Sequence, residues 1–232
     1  MKETIAVWFS CGAASAVAAK LTLERYGETH HVRIVNNPVR EEDQDNLRFL
    51  RDVEKWLGRP IESATNPKYP DCSAITVWYD RRYMSGTKGA PCTTELKKRA
   101  RLHWESGNHV DWHVLGFTAD EATRHRRFIL TERANVLPVL IDAGVTKEDC
   151  FKVLQEANIP LPRIYGLGYP NANCIGCVKA TSPPTGTMSA RCTLRSSKRG
   201  PSSPGRSAPA SPATAKSGSS WTSSRRTPRA GA

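Results

Sequence analysis

The sequence predicts an open α/β fold: a parallel sheet with helices on both faces. Three observations carry this. Short apolar runs rich in β-formers alternate with stretches whose apolar residues recur at helical spacing, the first run turns through small residues straight into an Ala-rich helix, and a length of 232 residues suits one α/β domain with a tail.

In chain order, Thr4 to Phe9 (TIAVWF) is a strand that passes through Ser10, Cys11 and Gly12 into a helix from Ala13 to Leu23. His31 to Val35 is a second strand. Glu41 to Leu57 carries Leu47, Leu50, Val53, Trp56 and Leu57 at helical spacing, and a weaker strand is expected near Ile61. Thr94 to Trp104 is helical, Val110 to Phe117 a buried strand, and Ala119 to Arg133 helical again. The Pro-bounded segment LPVLIDAGV follows, and then a helix with Thr146 as N-cap and Glu148 and Asp149 in its first turn. That helix is expected to end near Asn158, ahead of Pro160 and Pro162. Residues 165–179, with GLGYPNANCIGCVK, are too rich in Gly, Pro and Asn for a regular element. No internal repeat is evident.

Charge divides the chain at about residue 180. There are 34 Lys plus Arg against 22 Asp plus Glu, a formal net charge of +12, yet residues 181–232 hold nine of the basic residues and no acidic one. Residues 1–180 keep 25 basic and 22 acidic residues, a net of +3, so the basic pI does not imply a nucleic-acid-binding body. The last segment has thirteen Ser and seven Pro, with Met188, Leu194 and Trp221 as its only large apolar side chains, and is expected to be a disordered Ser/Pro/Arg-rich tail. It also admits a second reading as a shifted frame. Read one base downstream, codons allowed for Pro184 to Ala210 can spell YWNHERKVHPEVFEARAEQSREIGARL, which regains acids and a helical pattern.

No apolar run reaches the roughly 18 residues of a membrane-spanning helix, and MKETIAVWFS lacks a basic-then-apolar leader, so a cytoplasmic protein is expected. Seven cysteines, an odd number, favour thiol or metal chemistry over a disulfide framework.

Chemistry is expected first at the Ser10–Ser15 turn. Open α/β sheets bind ligands at the carboxyl ends of their strands, where a helix offers free N–H groups. Ser10, Gly12 and Ser15 form S-x-G-x-x-S, in which Gly12 allows a tight turn and close backbone approach and two hydroxyls can donate to phosphate. The same residues also make an ordinary strand-to-helix turn. The pattern is neither G-x-x-x-x-G-K-[ST] nor G-x-G-x-x-G, which counts against P-loop NTPase and dinucleotide readings.

Cys174 and Cys177 form C-x-x-C around Gly176, and Cys92, following Gly89 and Pro91, is separated from Cys174 by 81 intervening residues. Such turns let thiolates converge on one metal or cluster. An iron–sulfur cluster with an open iron, a zinc site completed by another residue, and a reducible or unliganded dithiol all fit. Cys72 and Cys150 read as packing or surface residues, and Cys11 either faces the ligand or completes a site. Among the basic residues Arg124 is favoured as an anion contact because it follows Gly116 at a strand end. Its i, i+3 spacing from Glu121 equally makes a surface pair, and Lys97 and Lys98 read as a solvated face. His113 is expected to be a core residue, His125 a weak proton-transfer candidate, and Asp45 with Arg48 a structural pair.

VWFSCGAASAVAAKL resembles the pyrophosphate-binding loop of the adenine nucleotide α-hydrolase-like (PP-loop) superfamily, specifically its phosphoadenosine phosphosulfate (PAPS) reductase branch. ATP pyrophosphatase members usually carry Asp where Ala14 stands. DNLRFLRDVEKWLG, GAPCTTELKKR, LGFTADEATRHRRF and NCIGCVK extend the resemblance in order over residues 4–180. It implies a Rossmann-like adenine nucleotide α-hydrolase fold and an enzyme of sulfur metabolism acting on PAPS, adenosine phosphosulfate or ATP. The reaction would be sulfonucleotide reduction or adenylation with sulfur transfer, and a thiol reductant protein a possible partner. Nucleotide binding would fall to Ser10, Cys11, Gly12, Ser15, Gly116 and Arg124. Cys92, Cys174 and Cys177 would hold a 4Fe-4S cluster or zinc. The chain departs from the family at two points. Pro91 and Thr93 flank Cys92 where the reductases have a Cys-Cys pair, so only three of the four ligands match, and Cys192 in RCTLR is no Glu-Cys-Gly-type nucleophile segment. A non-catalytic nucleotide-binding module is the alternative, and a nucleic-acid role would rest on the tail alone.

Overall fold

The computed structural model describes residues 2–87 and 89–179. The expectations for residues 181–232, including the tail and Cys192, lie outside them. Five parallel strands form one sheet in the order β3-β2-β1-β4-β5: β1 Thr4–Phe9, β2 His31–Asn36, β3 Ile61–Ser63, β4 Trp112–Val114 and β5 Val136–Leu137. β1 is central, with Val7 opposite Ile34 on one side and Val114 on the other. A central parallel strand is covered on both faces, which is why TIAVWF reads as an unbroken apolar run.

Alternation along β1 distributes its side chains between the two layers. Ile5, Val7 and Phe9 enter a core shared with α1 (Ala13–Tyr26), α2 (Asp45–Leu57), α6 (Val139–Asp142) and α7 (Lys147–Glu156). Phe9 stacks on Phe49 of α2 with centroids 6.2 Å apart. Ala6 and Trp8 face the other way, toward Trp104 of α4 (Ala100–Ser106), and the two indoles meet edge to face at 5.6 Å. Such a pair contributes about 0.5–1.5 kcal/mol beyond burial.

Several expected boundaries move. The second helix starts at Asp45, because residues 41–44 form the turn that carries buried Asp43. The Val110 to Phe117 strand pairs only over Trp112–Val114, leaving Leu115 to Phe117 free of the sheet. The helix expected over Thr94 to Trp104 is a π-helical segment, Thr93–Arg99, running into α4. Ala119–Glu121 is a 3-10 turn ahead of α5 (Ala122–Thr131). The sequence reading contained no α3 (Ala74–Arg81), whose N-cap Ser73 accepts from Thr76 N–H. Thr146 caps α7 as expected, accepting from Asp149 N–H. A four-residue helix, α8 (Arg163–Gly166), opens the final irregular segment. Among the described residues no helix is long and apolar enough to cross a membrane.

Candidate nucleotide site

Chain order reverses at β1: β2 follows on one side and β4 is added on the other. A crevice at the carboxyl ends of the strands opens at such a switch point. Here it is a cavity of about 540 Å³ lined by Ser10, Gly12, Ser15, Gly116 and Arg124, which brings together five of the six expected ligand residues.

The loop holds its own shape. Ser15 Oγ accepts from the backbone N–H of Ser10 at 3.1 Å and of Gly12 at 3.3 Å, and donates to Gly12 O at 2.8 Å. Ser15 is therefore the internal brace, and Ser10 is the exposed hydroxyl. The left-handed residue of the turn is Cys11, at φ 54°, whereas Gly12 is extended. Cys11 does not line the cavity. Its thiol is buried 3.5 Å from Asn36 Nδ2 and pushed up to about 12 by that burial, so it packs beneath the loop as a neutral group. The first turn of α1 has no acidic residue, and Ala13 N–H donates to Tyr165 Oη at 3.1 Å. Residues 171–173 also line the cavity, so the segment after α8 forms its far wall.

Gly116 sits against the loop from β4. A Cβ there would lie 2.8 Å from Ser15 N and 3.1 Å from its Cα, so only glycine lets α1 approach this strand end. Arg124 reaches the rim, where it pairs with Glu121 and lies over Phe117, its side chain 72% exposed. His125 is buried edge-on against Phe117 and does not line the cavity, which removes it as a proton-transfer group for a ligand there. His113 is a core residue as expected. It accepts from Trp8 Nε1–H at 3.1 Å, lies 2.6 Å from Arg133, and is depressed to about 3 by burial and by Arg133 and Arg101.

The structure moves one cation of the sequence reading and adds another. Lys97 is not solvated: it lines the cavity and pairs with buried Glu42 at 3.3 Å. Arg101, four residues on, lines the same wall with its guanidinium 5.4 Å from the Trp8 ring centroid. Its Nε is sequestered with no hydrogen-bond partner among the described residues. Lys98 is exposed and pairs with Glu132.

The cysteines lie beyond Lys97. Cys92 and Cys174 pack against one small apolar cluster that includes Val39, Tyr69 and Leu96. The C-x-x-C turn is tied to the 41–42 segment by a Glu42–Cys174 bridge and by Ile175 N–H to Glu41 O at 3.3 Å. Burial first, then Glu42, pushes the Cys174 thiol up to about 12, with Cys177 and Cys92 adding to it. The three thiols are neighbours, but among the described residues no three His, Cys, Asp or Glu side chains converge to hold one metal. As placed, the three thiols do not form a closed ligand set for a metal or cluster.

No family model matches the sequence and no curated protein matches it. Among solved structures the chain is similar to phosphoadenylyl-sulfate (PAPS) reductase from Candida auris in a phosphate complex, with a TM-score of 0.52 and 10% identity over 73% of this chain and 80% of that one. It is also similar to the U34-tRNA thiolase of Methanococcus maripaludis with its [4Fe-4S] cluster, with a TM-score of 0.44 and 11% identity over 84% of this chain and 66% of that one. The protein thus shares its fold with PAPS reductase, and its cavity lies at the switch point of that fold.

Proposed function

We propose that the protein is an enzyme that binds an adenine nucleotide in the switch-point cavity, and that it acts in sulfur chemistry by sulfonucleotide reduction or by ATP-dependent adenylation with sulfur transfer. The observation that carries the reading is the braced Ser10–Ser15 turn opening, across from Gly116, on a cavity of about 540 Å³. Ser10, Gly12 and the first turn of α1 would bind phosphate oxygens. Arg124 would approach from the rim once released from Glu121. Calorimetry with ATP and with PAPS tests the binding: saturable binding of either supports it, and silence with both defeats it. Turnover under anaerobic conditions with a thiol reductant separates an enzyme from a binding module.

Cys92, Cys174 and Cys177 enter this reading as thiols on the cavity's Lys97 side. To hold zinc or a 4Fe-4S cluster they must lose their protons and draw together, so no step is assigned to such a group. Metal analysis of anaerobically purified protein tests it. Iron or zinc that falls in Cys92→Ser, Cys174→Ser and Cys177→Ser but not in Cys150→Ser would establish the site, and metal-free protein would leave a dithiol.

A further inference from the structure

The cavity's cations are not equivalent. Lys97 is matched by Glu42, Arg124 by Glu121, and Lys147 bonds Pro170 O and Asn171. Arg101 has no hydrogen bond or ion pair among the described residues. The carboxylates whose charge acts on it are paired elsewhere: Glu105 with Arg133 at 2.8 and 3.2 Å, and Glu132 with Lys98. Burial and the like charge of Arg133 lower the Arg101 guanidinium to about 10. A cavity-wall guanidinium whose Nε is buried without a partner, and whose charge Glu105 and Glu132 offset only without direct pairing, favours an incoming anion. The Trp8 face holds it beside the cavity without neutralising it.

We propose that Arg101 is a second anion-binding residue of this cavity, separate from the Ser10–Ser15 turn, and that it holds an oxyanion present together with the phosphate on that turn. The proposal rests on the nucleotide reading above. Its chemistry is a phosphate or sulfate-type group gripped by a planar fork. The oxyanion is either part of the nucleotide or a separate ion.

The test is calorimetry on the full chain with AMP, with AMP in the presence of inorganic phosphate, and with adenosine 3′,5′-bisphosphate. At least one of the two additions is expected to tighten binding over AMP by about tenfold or more, and which one does so identifies the source. Arg101→Met is expected to abolish that gain while keeping AMP affinity, and Arg101→Lys to retain only part of it. Without ligand, Arg101→Met is expected to melt at or above wild type, since it removes an unpaired charge. The proposal is overturned if AMP binds but neither addition helps, if the gain survives in Arg101→Met, or if that variant melts lower without ligand, which would make Arg101 structural. Failure of AMP, ATP and the bisphosphate alike would instead defeat the nucleotide reading on which the proposal stands.

Discussion

Gly12 lies within the turn and Gly116 packs against it, and each is glycine for its own reason. A Cβ on Gly12 would meet the hydroxyl end of Tyr165 at 3.2 Å, while one on Gly116 would meet the backbone of Ser15 at 2.8 Å. A phenol tip can move and a helix backbone cannot, so the two substitutions separate. Gly12→Val is expected to remain folded and to lose ATP and PAPS binding in calorimetry. Gly116→Ala is expected to cost about 1–3 kcal/mol in urea unfolding, an overpacking penalty. The buried His113 supplies a pH signature. Its pKa is depressed from 6.5 to about 3, chiefly by burial, so it stays neutral in the fold while the unfolded chain takes up a proton. The stability it contributes is present above pH 6.5 and lost progressively as pH falls toward 3. His113→Gln is therefore expected to flatten the decline of Tm between pH 7 and 4, and a slope identical to wild type would contradict this. The Ser10–Ser15 turn and Gly116 were legible because strand-turn-helix patterning is local. Arg101 was not, because its significance lies in which carboxylates its neighbours have already taken.

At the level of elements, the segment leading into α4 shows why Lys97 was misread. Helical spacing assumes 3.6 residues per turn, whereas Thr93–Arg99 is π-helical and its wider turn rotates the side chains that follow. Lys97, read with Lys98 as a solvated face, is turned to the cavity instead. α3 escaped notice because its buried residues are only Ala74 and Val77, while Ile75 and Tyr79 are exposed, leaving no amphipathic period to detect. The far wall of the cavity depends on a short connection that sequence spacing hides. Arg163 forks onto buried Asp43 at 2.8 and 3.0 Å, and Asp45 accepts from Arg163 N–H at 2.8 Å, which anchors α8 to the start of α2. Asp43→Ala is expected to destabilise the fold in urea unfolding by about 1–2 kcal/mol, because it removes the buried acceptor of Arg163 and of Asp45 N–H. It should also open residues 160–173 to limited proteolysis and weaken nucleotide binding, and an unchanged cleavage pattern would count against this anchor.

Across the molecule, the parallel sheet was legible because alternating strand and helix signals restrict topology, but the order 3-2-1-4-5 was not, since it is a matter of which edge each strand joins. Charge is distributed as unevenly as function. With the body near +3 and the whole chain at +12, retention on a heparin column is expected to fall sharply in a chain ended at residue 180, and equal retention would place the polyanion affinity in the body. The bond from Ala13 N–H to Tyr165 Oη joins groups 152 residues apart. A chain made from its N-terminus has the phosphate-type turn early, yet lacks the wall that closes over it until nearly all of the body has been synthesised. Contacts this distant in sequence are also the slowest to form. Closure of the cavity is therefore the last step in assembling this end of the sheet, and the proposed nucleotide, if bound, would report that both ends of the body have met.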